Sequence, residues 1–171
     1  DFEEVRVLDL FAGTGSISYE FASRGASGVV SIELNPRCSD FISKMAAEYK
    51  FPQLQVIKAN VLTYLVKGAG KFDVIFADPP YFLSKDGLTV KNGIVQSVNK
   101  GEWDKFSDDN EVYIFTYDWL SQAKRMLADN GTIWMSGTHH NIFTLGRVLS
   151  QLNFKILNMI TWEKPNPPPN F

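Results

Sequence analysis

The chain has 171 residues, of which 44% are hydrophobic and 21% charged, and its formal net charge is -2. This is the balance of one globular domain with a full hydrophobic core, and it excludes a protein that binds nucleic acid through a strong overall positive charge, although a local basic cleft is still allowed. The single cysteine, Cys38, excludes an intrachain disulfide, and the sequence shows neither a bilayer-spanning apolar run nor a signal peptide, so we expect a cytoplasmic protein without a membrane partner.

The first half of the sequence alternates short apolar runs with helical patterns. The predicted strands are Val5 to Phe11, Val29 to Leu34, Leu54 to Ala59 and Phe72 to Ala77. The predicted helices are Ser16 to Arg24, Cys38 to Tyr49, and a short helix or turn at Val61 to Val66. Strands that alternate with helices in this way are typical of a parallel sheet covered by helices.

The second half begins with a polar, glycine-containing stretch from Leu83 to Asn110 that has no clear period and is predicted to be a loop. The elements predicted after it are a helix at Tyr113 to Leu127, a strand at Thr132 to Ser136, a helix at Ile142 to Leu152, a strand at Phe154 to Trp162 and a proline-rich exit at Pro165 to Pro169. With right-handed crossovers, this order predicts an α/β fold with a doubly wound, mostly parallel sheet in a single domain, residues 1–171.

A glycine loop follows the first predicted strand and is made of Phe11, Ala12, Gly13, Thr14 and Gly15. Glycines let a ligand approach the backbone closely. Glu33 ends the second predicted strand, where a carboxylate can accept hydrogen bonds from ribose hydroxyls, while Ser18 stands where the dinucleotide pattern has its third glycine. The pattern indicates a nucleoside-type ligand and leaves open a dinucleotide, an adenosine with a sulfonium tail, and a turn that binds nothing.

The fourth predicted strand ends in Asp78-Pro79-Pro80-Tyr81. The prolines stiffen the backbone and remove two donors. The Asp78 carboxylate and the Pro79 carbonyl can then bind the two hydrogens of a planar base amine and aim its lone pair at a methyl donor, while Tyr81 offers an aromatic face to a flipped base. If the first and fourth strands are neighbours, both loops meet at one crevice. The alternative is a rigid surface turn.

Residues 5–81 resemble the bacterial 16S ribosomal RNA guanine-N2 methyltransferases, through VLDLFAGTGSISYEFASRGA, SIELN and FDVIFADPPY. The resemblance implies a Rossmann-like methyltransferase fold, S-adenosylmethionine as cofactor, and Asp78, Pro79, Pro80 and Tyr81 around the target amine. The residues expected at the cofactor are Asp9, Phe11, Ala12, Gly13, Thr14, Gly15, Glu33, Leu34, Asn60, Val61 and Asp78. Many relatives carry an acidic residue where this chain has Asn60, whose side-chain oxygen can still accept a hydrogen bond from the adenine amine.

Residues 74–170 are similar to the β group of adenine-N6 DNA methyltransferases, through FADPPYFLSKDG, NKGEWDK, NGTIWMSGTHHNIF and FKILNMITWEKPNPPPN. Those enzymes usually place the DPPY half first and the glycine-loop half last, with a recognition segment between. The reversed order suggests a mosaic or an engineered fusion joined at a shared motif, although a natural enzyme of unusual order stays possible. We divide the chain into a cofactor-binding half, residues 1–81, and a target-facing half, residues 82–171, with its loop at 83–110.

These resemblances favour a DNA adenine-N6 methyltransferase, with a 16S ribosomal RNA guanine-N2 methyltransferase or an inactive chimeric domain as alternatives. A dehydrogenase is disfavoured by the missing third glycine and by the DPPY segment. The expected partner is a nucleic acid, DNA or ribosomal RNA. We expect no metal site, since His139 and His140 lack further ligands at suitable spacing. The oligomeric state is left open.

Overall fold

The computed structural model describes residues 2–81, 88–91, 94–97 and 108–163. The strands are β1 Arg6–Leu10, β2 Gly28–Glu33, β3 Leu54–Lys58, β4 Phe72–Ala77, β5 Leu88–Lys91, β6 Ile94–Ser97 and β7 Leu127–Met135. The helices are α1 Ser16–Ser23, α2 Pro36–Glu48, α3 Val61–Lys67, α4 Asp109–Met126 and α5 Ile142–Gln151. In these ranges no helix is both long enough and apolar enough to cross a membrane.

Five strands form one sheet in the order β3-β2-β1-β4-β7, and each neighbouring pair is parallel. The central strand β1 pairs with β2 on one side and with β4 on the other, so that Leu8 lies between Val30 and Ile75. The strand order reverses at β1, which makes its carboxyl end the switch point where ligands bind in such sheets. The predicted parallel α/β sheet is thereby confirmed.

The side chains of successive residues in the central strands lie on opposite faces of the sheet, and both faces are buried. On one face, Val7, Val29 and Val74 lie in register and pack with Ala22 near the end of α1 and Ile42 of α2. On the opposite face, side chains of the same strands are fully buried, and so are side chains of α3 and α4. They are Leu8, Leu10, Ile32 and Ile75 from the strands, Leu65 from α3, and Trp119 and Leu120 from α4. The sheet is therefore covered on both faces, which explains the continuous apolar runs in its strands.

The chain divides into two compact units. The first contains Asp1–Pro79 and Tyr117–Gly137, and so includes the whole five-stranded sheet. The second contains Pro80–Thr116 and Thr138–Phe171, and includes the β5–β6 hairpin and α5. The first of the three boundaries along the chain thus lies between the two prolines of the DPPY segment.

The loop prediction for Leu83 to Asn110 was wrong in part. An antiparallel hairpin joins β5 to β6, with Leu88 opposite Ser97, and α4 begins at Asp109; the rest of this stretch lies outside the described residues. The sequence held signals for both features. Asn92-Gly93 between two β-prone runs favours a two-residue hairpin, and Asp108 Oδ1 accepts hydrogen bonds from the main chain at Asn110 and Glu111, as a helix cap does.

The predicted sixth strand, Phe154 to Trp162, was also wrong. These residues have no regular secondary structure, and from Ile156 onward their large apolar side chains are exposed, Trp162 to 82%. A strand exists only when a neighbour satisfies its main-chain groups. No described strand pairs with this segment, so its β-prone composition is not sufficient.

We predict that Gly15→Ala lowers the free energy of unfolding by about 2 kcal/mol, because it combines backbone strain with overpacking. Gly15 has a φ of 83°, and a Cβ there would lie 2.9 Å from Cγ1 of Ile42. Urea unfolding followed by circular dichroism measures the change. Gly28→Ala is the matched control, since a Cβ at Gly28 meets nothing within 4 Å. Equal stabilities of the two variants would contradict this packing.

Candidate functional site

The site lies at the carboxyl edge of the sheet in the first unit. Main-chain hydrogen bonds connect the residues that follow the strands: Asp78 N donates to the Leu10 carbonyl oxygen over 3.3 Å, and Ala12 N donates to that of Ile32 over 3.1 Å. Because these bonds continue the pairing beyond the strands, they fix the glycine loop and the first residue of the DPPY segment on neighbouring strands. The expected convergence of the two loops is therefore present as far as Asp78 and Pro79.

The glycine loop is tightly wound. Phe11, Gly13 and Gly15 all have left-handed backbone conformations, with φ of 60°, 57° and 83°. This conformation is strained for phenylalanine, and such strain persists only where the surroundings hold the residue. The Phe11 ring packs edge-on against the fully buried Trp119 of α4, with centroids 6.0 Å apart, which holds the loop in place.

Glu33 connects the glycine loop to the start of α2. Its Oε2 accepts a hydrogen bond from Gly13 N over 2.8 Å, and its Oε1 accepts one from Asn35 N over 2.6 Å. Each carboxylate oxygen has a further lone pair. Glu33 can therefore support the loop and accept a ribose hydroxyl at the same time.

Asp9 lies beneath the glycine loop and is only 1% exposed. The Ser18 hydroxyl donates to Asp9 Oδ2 over 2.6 Å, and the Ser18 main chain also donates to this carboxylate. Desolvation by burial raises the pKa of Asp9 to about 7; the Ser18 hydrogen bonds oppose this shift, and the negative charges of Asp78 and Glu33 add to it. Asp9 thus places a carboxyl group at the amino end of α1.

The remaining cofactor-binding predictions fall at the ends of β2 and β3. Leu34 follows β2 and is 59% exposed, which offers an apolar surface at this edge. Asn60 caps α3, because its Oδ1 accepts a hydrogen bond from Thr63 N over 3.3 Å. Val61 is buried among core residues, so Asn60 is the more accessible of this pair. Thr14 is exposed at the tip of the loop.

Asp78 carries the accessible carboxylate of the site. It lies directly after β4, it is exposed, and the Ser136 hydroxyl donates a hydrogen bond to its Oδ1. Pro79 beside it is buried. Pro80 and Tyr81 begin the second unit, where both are half-buried. The sequence reasoning missed Ser136, although a hydroxyl placed directly after a strand of the same sheet was a usable signal.

In the second unit, the His139 and His140 rings lie against each other at a tilt of 41°, with centroids 3.9 Å apart. Within the described residues, no group of three or more His, Cys, Asp or Glu side chains is arranged to hold a metal ion.

Two protein-family models match the chain. The model described as DNA methylase matches residues 72–171, and the one described as conserved hypothetical protein 95 matches residues 1–114. The two matches overlap at residues 72–114, a range that contains β4 and the DPPY segment. This agrees with the mosaic of two resemblances that the sequence indicated.

Curated relatives match just over half of the length of this chain. The chain is 71% identical over 99 residues to the type II methyltransferase M2.MboI of Moraxella bovis, which is 58% of this chain and 36% of that protein. It is 54% identical over 98 residues to the type II methyltransferase M2.DpnII of Streptococcus pneumoniae, which is 57% of this chain and 37% of that one. The chain therefore spans just over a third of the length of these relatives.

Solved structures share the fold over most of the chain. The ribosomal protein L11 methylase of Lactobacillus delbrueckii subsp. bulgaricus superposes with a TM-score of 0.66 at 16% identity, covering 94% of this chain and 66% of that one. TrmN of Thermus thermophilus superposes with a TM-score of 0.63 at 20% identity, covering 85% of this chain and 36% of that one. These likenesses confirm the Rossmann-like fold of methyltransferases.

We predict that Asp9→Asn removes a pH dependence of stability. A carboxyl group whose pKa is raised on folding from 3.8 to about 7 stabilises the fold fully below pH 3.8, and this contribution is lost as the pH rises through 7. The wild type should lose up to about 1.4 kcal/mol per pH unit across that window relative to the variant.

Denaturant unfolding at a series of pH values between these limits measures the difference. Asp40→Asn, which changes an exposed carboxylate on α2, is the control and should follow the wild type. Parallel curves for the wild type and Asp9→Asn would show that Asp9 ionises normally.

Proposed function

We infer the function from the family: the chain belongs to the DNA methylase family, and its residues 1–114 belong to the family described as conserved hypothetical protein 95. We propose that it is an S-adenosylmethionine-dependent N-methyltransferase that acts on an exocyclic amine of a nucleic-acid base, with adenine N6 of DNA as the target. The observation that carries this proposal is the placement of the glycine loop and Asp78 on neighbouring parallel strands.

The charges around the glycine loop favour a cationic ligand. Helix amino termini attract anions, as in dinucleotide sites, but the amino end of α1 already receives the Asp9 carboxyl group through Ser18. Glu33 and Asp78 add further negative charge near Asp9. A pyrophosphate would be repelled here, whereas the sulfonium and ammonium groups of S-adenosylmethionine would be attracted. This argues against a dehydrogenase.

The adenosine end of the ligand fits the edge next to the loop. Glu33 would accept the ribose hydroxyls, Leu34 would cover the adenine ring, and Asn60 would accept a hydrogen bond from the adenine amine. The half-buried Glu33 is held by two main-chain donors, so its carboxylate is oriented before any ligand binds. Such preorganisation lowers the entropic cost of binding.

Methyl transfer needs an amine whose lone pair points at the methyl group, and S-adenosylmethionine supplies that electrophilic methyl when bound. The exposed Asp78 carboxylate would accept one amine hydrogen and the Pro79 carbonyl the other. Both acceptors pull the nitrogen out of conjugation with the base and strengthen as positive charge develops on it. Tyr81 would stack on the base once it has left the helix.

Ribosomal RNA is the second candidate substrate, because residues 5–81 resemble guanine-N2 methyltransferases. An inactive chimeric domain is the third, because two different family models match the chain and overlap only around the DPPY strand. Incubation with labelled S-adenosylmethionine and either DNA or ribosomal RNA, followed by nucleoside analysis, separates them. We expect N6-methyladenine. N2-methylguanine alone would support the second candidate, and cofactor binding without turnover the third.

We predict that Asp78→Ala lowers the rate of methyl transfer by about 10²- to 10³-fold, because one preorganised acceptor is lost, while cofactor affinity is kept. The rate is measured as label incorporated into DNA, and affinity by calorimetry with S-adenosylhomocysteine. Asp73→Ala is the control, since Asp73 lies on the same strand but accepts its hydrogen bond from Arg6 N, at the other end of β1. Near-normal turnover of Asp78→Ala would rule out this chemistry.

We predict that Asn60→Asp increases the affinity for S-adenosylhomocysteine about 5-fold, since a charged acceptor binds the adenine amine more strongly than an amide oxygen. Aspartate is as good a helix cap as asparagine, so α3 should be unaffected. Calorimetric titration measures the affinity. Asn60→Ser, which keeps a capping oxygen on a shorter side chain, should bind more weakly than the wild type. If Asn60→Asp brings no gain, Asn60 does not contact the adenine.

A further inference from the structure

Ser136 occupies a fixed position beside Asp78. It follows β7 directly, and its main-chain N donates to the Ala77 carbonyl oxygen over 3.0 Å, which extends the β4–β7 pairing by one residue. The side-chain Oγ of Ser136 donates a hydrogen bond to Oδ1 of Asp78. The main-chain bond extends the sheet whatever the side chain is, so the hydroxyl contact with Asp78 is a separate feature of this position.

The hydroxyl contact restricts the Asp78 carboxylate. An exposed aspartate on a strand end can rotate about both side-chain torsions, and water competes for its oxygens. A donor anchored to the neighbouring strand fixes one oxygen and thereby sets the direction in which the other oxygen points. Positioning of this kind governs the reaction rate, because a shift of about 1 Å in a reacting group can lower that rate about 10²-fold.

We propose that Ser136 is a positioning residue, which orients the Asp78 carboxylate toward the target amine. The proposal rests on the proposed function, because it assigns Asp78 the role of amine acceptor. It adds β7 to the strands that build the site, since the glycine loop comes from β1, Glu33 from β2 and Asp78 from β4. Ser136 touches neither substrate nor cofactor in this role and acts only through Asp78.

The test measures kcat, KM for DNA and affinity for S-adenosylhomocysteine in the full chain. Ser136→Ala should lower kcat about 10- to 100-fold and leave the KM and the cofactor affinity within about twofold. Ser136→Thr keeps the hydroxyl and should restore most of kcat. Ser121→Ala is the control: the Ser121 hydroxyl donates to the Asp118 carbonyl oxygen within α4, and its loss should leave kcat unchanged.

A double-mutant comparison separates positioning from a purely structural role. If Ser136 acts through Asp78, adding Ser136→Ala to Asp78→Ala should lower kcat no further. A further loss of the same size, or a normal kcat in Ser136→Ala, would overturn the proposal while the proposed function stands. Failure of Ser136→Thr to recover activity would overturn it as well. If the wild type transfers no methyl group to any nucleic acid, the proposed function fails and the role of Ser136 fails with it.

Discussion

The parallel pairing of β1 with β4 is the constraint on which the site depends. One hydrogen bond, from Asp78 N to the Leu10 carbonyl oxygen, carries that pairing past the end of both strands. Since β1 continues into the glycine loop and β4 into the DPPY segment, the loop proposed to bind the methyl donor and the residue proposed to accept the amine are placed by the same ladder. A change that separates these strands would remove both halves of the site together.

This placement has a cost in stability. Asp9 is buried at the cost of a raised pKa, and Phe11 is held with a left-handed backbone at the start of the loop. Two unfavourable features at one loop are typical of a functional site, where the rest of the core supplies the compensation. Here the compensation is visible: Ser18 donates to Asp9, and the buried Trp119 packs against Phe11. These features support the proposed ligand-binding role of the loop.

Sequence reasoning predicted the sheet well because its signals are local. Apolar runs such as Phe72–Ala77 are recognised from a few neighbouring residues. It failed where the outcome depends on distant partners. The segment from Phe154 to Trp162 has a strand-like composition, but no described strand pairs with it, and the contact between Ser136 and Asp78 joins residues 58 apart in the chain. The hairpin at Leu88–Ser97 was an oversight, since its turn dipeptide was in the sequence.

The strand β4 also explains how two families can meet in one chain. It pairs with β1, which only the conserved hypothetical protein 95 model covers, and with β7, which only the DNA methylase model covers, while β4 itself lies in both matches. Parallel strands recognise each other through main-chain hydrogen bonds and interlocking apolar side chains, which in β4 are Phe72, Val74, Ile75 and Ala77. A join at a strand common to both families preserves each set of contacts. It also keeps Asp78 at its fixed distance from the end of that strand, so the chemistry at the edge does not depend on which family supplied the neighbours.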